Sequence, residues 1–244
     1  MTCEALFRSE SYLTICDAKV TEIREDGAIL LDRSIFYPTG GGQPGDCGSL
    51  ELPNGRKIEI ATTRKDRESG DNLHIPAEGQ NTDGLKIGDA IVCHLDWSSR
   101  YRHMRLHTAL HLLSVALPYP VTGGQVGQDE ARLDFNIPEP NFTKDDITAK
   151  LSEMIEADHG VSESWITDEE LDAKPEMVKT MSVQPPRGAG RVRLIQIGDI
   201  DLQPCGGTHV SQTAEIGAVE VSKIENKGKQ NRRIRIRFSA SSDT

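Results

Sequence analysis

The sequence predicts an α+β protein in which a small, purely β unit precedes a mixed α+β unit. Three observations carry this. Up to about residue 95, short β-rich runs alternate with turn signals and no helical period appears. From Trp97 a helical period sets in abruptly, and strand-like runs return at residues 192–197, 218–224 and 232–238. The expected division is a β-barrel domain over residues 1–96, containing a glycine-rich loop, and an α+β domain over residues 97–244.

In the first unit, Asp26-Gly27 separates the β-rich runs 20–23 and 29–31, and Asn54-Gly55 separates 50–52 from 58–60. Asx-Gly pairs favour tight hairpins whose two central residues both take φ > 0. Residues 90–95 read as a further strand. In the second unit, Ser98 or Ser99 is placed to cap a helix that Pro118 and Pro120 stop. Tyr101, Met104, Ala109, Leu112, Leu113 and Ala116 give that helix an apolar face. Thr143, with Asp146 three residues on, opens a second helix carrying Ile147, Leu151, Met154 and Ile155, with Gly160 placed to end it. Thr167 and Glu170 form another capping box, opening a short helix before Pro175.

Composition bounds the class. The chain has 244 residues, 36% hydrophobic and 27% charged, as expected of a globular protein. No apolar run approaches the roughly 20 residues that span a bilayer. The N-terminus lacks a basic segment followed by an apolar one, so a secretory signal is not expected and the cytoplasm is the default. The cysteines Cys3, Cys16, Cys47, Cys93 and Cys205 are odd in number and scattered, which argues against a disulfide framework. The net charge of −10 disfavours non-specific polyanion binding. Yet Lys223, Lys227, Lys229, Arg232, Arg233, Arg235 and Arg237 face a single acid, Glu225, within one segment. That local basic patch is either a phosphate-binding surface or a solvated strand face.

His107 and His111 are four apart on the first helix, on one face and within reach of one ion. His103 extends the row, so spacing alone leaves the pair 103/107 open as well. Cys205 and His209 are again four apart, across two glycines whose turn is expected to bring both side chains to one side. Together the half-sites supply four ligands suited to zinc. The metalloprotease motif HExxH is absent, because Thr108-Ala109 stands where its glutamate would be. Two Gly-Gly-Gln triplets end at Gln43 and Gln125; each is either a functional amide on a close-approaching backbone or an ordinary turn. Arg132 and Asp134 are either a polar pair near the site or a surface ion pair. His74, His94 and His159 lie outside any motif.

His107-Thr108-Ala109-Leu110-His111-Leu112-Leu113 and Cys205-Gly206-Gly207-Thr208-His209-Val210 resemble the paired signatures of the alanyl-tRNA synthetase editing domain and its free-standing AlaX relatives. The resemblance extends to Phe36-Tyr37-Pro38-Thr39-Gly40-Gly41-Gly42-Gln43-Pro44-Gly45-Asp46 and to the segments 226–229 and 232–235. It spans roughly residues 20–238. The resemblance implies a barrel followed by a two-layer α+β editing domain. It selects His107 and His111 over His103 as ligands, beside Cys205 and His209, with Zn2+ as cofactor. Thr39, Gly41, Gly42 and Gln43 are then expected to position substrate, and Lys227, Lys229, Arg232 and Arg233 to contact tRNA.

The implied activity is metal-dependent hydrolysis of the ester of tRNA(Ala) wrongly charged with serine, possibly also glycine. No activation domain is recognisable before residue 97, so action in trans is expected. A non-catalytic tRNA-binding module stapled by zinc, and a threonyl-type editing enzyme for tRNA(Thr), are the alternative readings. Four protein ligands normally close a zinc site. Either His209 or Cys205 leaves the shell when substrate arrives, or the metal mainly organises the pocket.

Overall fold

The computed structural model describes residues 3–66, 68–173 and 190–239. The chain forms two compact units that meet in sequence after Tyr101. The first contains β1 (Glu4–Ala5), α1 (Leu6–Ser9), β2 (Ile15–Ile23), β3 (Ile29–Leu31), β4 (Arg33–Ser34), β5 (Gly48–Glu51), β6 (Lys57–Lys65), β7 (Asn72–Pro76) and β8 (Ala90–Leu95). Six of these close into a barrel in the order β2-β3-β7-β6-β5-β8, and β8 pairs back onto β2. Alternation decides the interior: Ala18 and Val20, Leu50, Ile58 and Ile60, and Ile91, Cys93 and Leu95 all point inward and are buried.

Both Asx-Gly turns join antiparallel strands as expected. Their geometry differs from the expectation, because only Gly27 (φ 84°) and Gly55 (φ 81°) are left-handed. Asp26 and Asn54 instead accept a hydrogen bond from the backbone two residues on, Ala28 N–H at 3.1 Å and Arg56 N–H at 3.0 Å. The side chain thus closes the turn, which makes a positive φ at that residue unnecessary.

Helix α2 (Trp97–Ala116) begins in the first unit. Its cap is Asp96 rather than Ser98 or Ser99: the carboxylate accepts from Ser99 N–H at 3.2 Å and from the Ser98 hydroxyl at 2.7 Å. Arg100, fully buried in its first turn, donates to the Asp46 carboxylate and to the carbonyls of Ile35 (2.6 Å) and Ser11 (2.8 Å). The same Asp46 oxygen accepts Tyr37 N–H at 2.5 Å. Asp46 therefore anchors both ends of the glycine-rich loop.

The second unit holds β9 (Val121–Val126), β10 (Glu130–Asn136), α3 (Lys144–Glu156), β11 (Val161–Ile166), α4 (Asp168–Asp172), β12 (Val192–Ile197), β13 (Asp201–Pro204), a 3-10 turn (Thr213–Ile216), β14 (Val219–Asn226) and β15 (Asn231–Phe238). One antiparallel sheet runs β14-β15-β10-β9, and a second runs β11-β12-β13. Both capping boxes form, at Thr143/Asp146 and Thr167/Glu170. Helix α3 buries Ile147, Leu151 and Ile155, while Met154 is half-buried, and packs on β14. It ends at Glu156, before Gly160: Asp158 takes the left-handed turn (φ 49°), and Gly160 instead bridges to Gln212.

His74 has a clear expected behaviour. It is fully buried, donates from Nδ1 to the Ile29 carbonyl (2.9 Å), and accepts at Nε2 from the Ser34 hydroxyl (2.7 Å). Burial lowers its pKa from 6.5 to about 4. A lowered histidine pKa means the unfolded chain binds the proton first. This group's contribution, roughly 3 kcal/mol, is therefore present above pH 6.5 and lost as the pH falls toward 4. NMR titration of the folded protein should show the His74 ring neutral at pH 5.5; a midpoint near 6.5 would contradict the assignment.

Candidate metal centre

Helix α2 beyond Arg102 has almost no solvated face. His103, Met104, Leu106 through Ser114 and Ala116 are all buried. A polar side chain in such a helix needs a partner inside the protein. His107 and His111, one turn apart, meet Cys205 and His209 from the loop after β13. The four donor atoms all lie within 4.8 Å of one another. Cys205 Sγ is 3.2 Å from His209 Nε2 and 3.5 Å from His107 Nε2. The imidazole centroids are 4.5, 4.7 and 5.6 Å apart.

Neither Gly206 nor Gly207 takes a positive φ. The loop is shaped from outside by Arg193 on β12. Its Nη1 donates to the carbonyls of Gly207 (2.7 Å) and Cys205 (3.3 Å), while its Nε is held by Glu163 at 2.6 Å. Two backbone carbonyls fixed by one guanidinium hold the sulfur and the ring on the same side.

The surrounding hydrogen bonds decide which nitrogen of each ring is available. The Thr108 hydroxyl gives its only proton to the Met104 carbonyl (2.9 Å). It can therefore only accept from His209 Nδ1, 3.1 Å away, as it does from Val210 N–H at 3.3 Å. His209 thus carries its proton on Nδ1 and turns the Nε2 lone pair toward Cys205. Asp201 on β13 does the same for His111, accepting from Nδ1 at 2.9 Å, and Gln203 donates to that carboxylate at 2.7 Å. Carboxylate- and hydroxyl-oriented histidines around a thiol are a donor set that could hold a metal ion, with side chains placed to support it.

Electrostatics agree. Burial pushes His209 down to about 3. Burial opposes the Cys205 thiolate, but the neighbouring His107 and His209 outweigh it and hold the thiol well below its ordinary pKa. At His111 burial again opposes charge, and the hydrogen bonds to Asp201 and Cys205 overcome it, raising the pKa to about 9. Cys205 is thus favoured as the thiolate and His111 as the protonated ring, so a metal ion binding here would displace a proton.

The remaining expected residues fall elsewhere. His103 is buried on α2 but is not one of the four. In the barrel unit, Gly40 and Gln43 exchange backbone hydrogen bonds (3.1 and 2.9 Å) across Gly41 (φ 55°) and Gly42 (φ 81°), which makes a tight two-residue turn. Gln43 is buried within it. The Thr39 hydroxyl donates to the Thr63 carbonyl (3.2 Å) and accepts Gly45 N–H (2.9 Å). Gly45 is obligatory, since a Cβ there would sit 1.8 Å from the Thr63 oxygen. Gln125 lies exposed on β9 and accepts from Arg132 at 3.3 Å.

Arg132 and Asp134 do pair, at 2.8 Å, and Asp134 also takes two bonds from Arg233 (2.7 and 2.9 Å). On the same strands Arg235 pairs with Glu225 and Glu130, and Arg237 with Glu220. Arg232 donates to the carbonyls of Gly228 and Asn231. Lys227 and Lys229 stand exposed at the β14–β15 hairpin tip, with no carboxylate in ion-pair range among the described residues. Sequence reading missed Thr108, Asp201, Gln203 and Arg193. A signal was present in Asp201-Leu202-Gln203, where two polar residues alternate on one strand face just before Cys205.

A divalent metal is expected to bind at about one equivalent per chain. Because His111 must lose its proton, affinity should rise about tenfold per pH unit from pH 7 and level off above about 9. Thr108→Ala and Asp201→Ala should each weaken binding by about 10–100-fold. Competition against a chromophoric chelator measures both, and a pH-independent affinity or unaltered variants would refute the assignment.

Comparison with known proteins places this architecture. The family model described as the threonyl and alanyl tRNA synthetase second additional domain matches residues 192–235, and that of the class II (A) tRNA synthetases matches residues 7–99. The alanyl-tRNA editing protein AlaX-M of Methanosarcina acetivorans is 34% identical over 95% of this chain and 97% of its own length. That of Saccharolobus solfataricus shows the same identity and coverage. An alanine–tRNA ligase of Saccharolobus islandicus is 31% identical over 91% of this chain, which matches only 25% of the ligase. Near-complete coverage in both directions, with the four clustered donors in hand, identifies the chain as a member of the AlaX-type alanyl-tRNA editing family.

Proposed function

We propose that the protein is a zinc-dependent hydrolase that deacylates tRNA(Ala) carrying serine, and secondarily glycine, in trans. What carries the reading is the cluster of His107, His111, Cys205 and His209 with its lone pairs pre-aimed, in a chain that covers nearly the full length of relatives named as alanyl-tRNA editing proteins. A three-nitrogen, one-sulfur donor set of this size suits zinc. The need is physical: a pocket built for alanine excludes glycine by only one methyl and admits serine at small cost, so a second hydrolytic step must remove the errors.

When bound, zinc can polarise the ester carbonyl or lower the pKa of a water. The chain's own residues set the geometry. Thr108 and Asp201 hold His209 and His111 with Nε2 forward, and Arg193 holds the loop carrying Cys205. His107, His111, Cys205 and His209 would hold the ion and fill its shell, so an open position for substrate would have to come from His209 or Cys205; otherwise the four residues would serve to shape the pocket in which a positioned water cleaves the activated ester. In the barrel unit, Thr39, Gly41, Gly42 and Gln43 present a tight backbone turn and a glutamine amide, to which we assign substrate positioning. Lys227 and Lys229, with Arg232 and Arg233 beside them, are assigned to tRNA. The arginine row of β15 is neutralised by its own carboxylates, so the tip lysines carry most of the available phosphate-binding charge.

The test is release of amino acid from tRNA(Ala) charged separately with serine, glycine and alanine, with seryl-tRNA(Thr) as a control for the threonyl type. Rapid loss of serine and retention of alanine is the expected result; no deacylation of any substrate defeats the reading. In the same assay Gln43→Ala should slow single turnover by about 10–100-fold with metal content unchanged, and an unaltered rate would return Gln43 to a purely structural role.

Lys227→Ala with Lys229→Ala should weaken tRNA binding and reduce the slope of log affinity on log salt by about one for each phosphate no longer neutralised. Wild-type affinity and slope in the double variant would place the tRNA-binding surface elsewhere.

A further inference from the structure

Strands β2 and β8 are the first and last strands of the barrel in sequence, and their ladder closes it. In that ladder Cys16 stands directly opposite Cys93. Directly opposed residues of an antiparallel pair have Cα atoms about 4.5–5.5 Å apart, within the roughly 4.4–6.8 Å a disulfide requires. Both side chains point to the interior: Cys93 belongs to the barrel core, and Cys16, half-buried, packs against it. We propose that Cys16 and Cys93 are a redox pair that forms a reversible cross-strand disulfide, covalently closing the barrel.

The two thiols fall into distinct roles. A hydrogen bond from Cys93 is the largest influence on Cys16 and lowers its pKa, while burial resists ionisation; Cys93 itself is raised by the same bond and by burial. Cys16, the more accessible and more readily ionised, is the attacking thiolate, and Cys93 resolves. With hydrogen peroxide as oxidant, the Cys16 sulfur attacks one peroxide oxygen. The O–O bond breaks, and the departing hydroxide takes up a proton to leave as water. The Cys93 sulfur then attacks the Cys16 sulfenic acid. The S–O bond breaks, and the second hydroxide leaves as water with the Cys93 proton. The two sulfurs lose two electrons to the peroxide, and added thiol reverses the step. Cys3 lies near enough to both to feel their charge, but burial and Asp32 push its thiol up to about 12, which leaves it a poor nucleophile.

Treating the intact protein with hydrogen peroxide, alkylating free thiols and mapping peptides without reductant tests this. A peptide joining Cys16 to Cys93, lighter by two hydrogens and lost on adding dithiothreitol, is expected. Oxidised Cys93→Ala and Cys93→Ser should instead hold a sulfenic acid at Cys16, trapped by dimedone. Full alkylation of Cys16 after oxidation, or a bridge from Cys16 to Cys3, overturns the proposal.

Discussion

A buried hydroxyl has one proton, and the Thr108 proton is committed to the helix carbonyl four residues back. That constraint governs the metal centre. It forces His209 to donate from Nδ1 and leaves Nε2 with a lone pair inside the protein, where an unmet lone pair is costly. Asp201 fixes a proton on His111 Nδ1 in the same way, and the raised pKa of that ring favours a second proton on Nε2, which a metal ion would have to displace. The Cys205 thiol is held toward its anionic form by the rings around it, so sulfur and nitrogen donors converge in one buried space. A cation would satisfy these donors together. The β13 strand, the Arg193 brace and the burial of α2 hold the four side chains in that arrangement.

Charge shows why position matters more than sum. The segment from Lys223 to Arg237 is strongly basic in sequence, yet in the sheet Arg233, Arg235 and Arg237, on the face opposite Ile234 and Ile236, each find a carboxylate. Asp134 lies opposite Arg233, Glu130 and Glu225 flank Arg235, and Glu220 lies opposite Arg237. Cross-strand pairing neutralises most of the row and fixes register between β10, β14 and β15. The charge left to meet a polyanion is concentrated at the hairpin tip.

Much of this was legible in advance because it is local. Four-residue spacing on a helix places His107 beside His111, Asx-Gly pairs mark the hairpins, and the Thr143 and Thr167 boxes start helices where they should. The strand-like run at residues 232–238 forms β15, with Ile234 and Ile236 buried and Phe238 half-buried. What escaped is non-local. Strands β9 and β10 carry glycines and charges in place of a clean alternation, because one face of that sheet is an ion-pair lattice. Thr108 and Asp201 gain their roles only when β13 and α2 meet, about 90 residues apart in the chain. The cap of α2 and the end of α3 were misplaced by two to four residues because an Asp can do the work assigned to a Ser or a Gly: Asp96 accepts Ser99 N–H in the first turn, and Asp158 takes the left-handed turn.

Asp46 and Arg100 form a single heritable unit. Losing either alone leaves a full charge among apolar neighbours, a cost of about 3–5 kcal/mol, against a typical total stability of about 5–15 kcal/mol. Losing both at once to well-packed apolar residues removes that penalty, but it strips Tyr37 N–H of its acceptor, at about 1–3 kcal/mol. Drift at these positions must therefore proceed in coupled steps: an amide at position 46 keeps an acceptor for Tyr37 N–H but leaves the Arg100 guanidinium buried without its counter-charge.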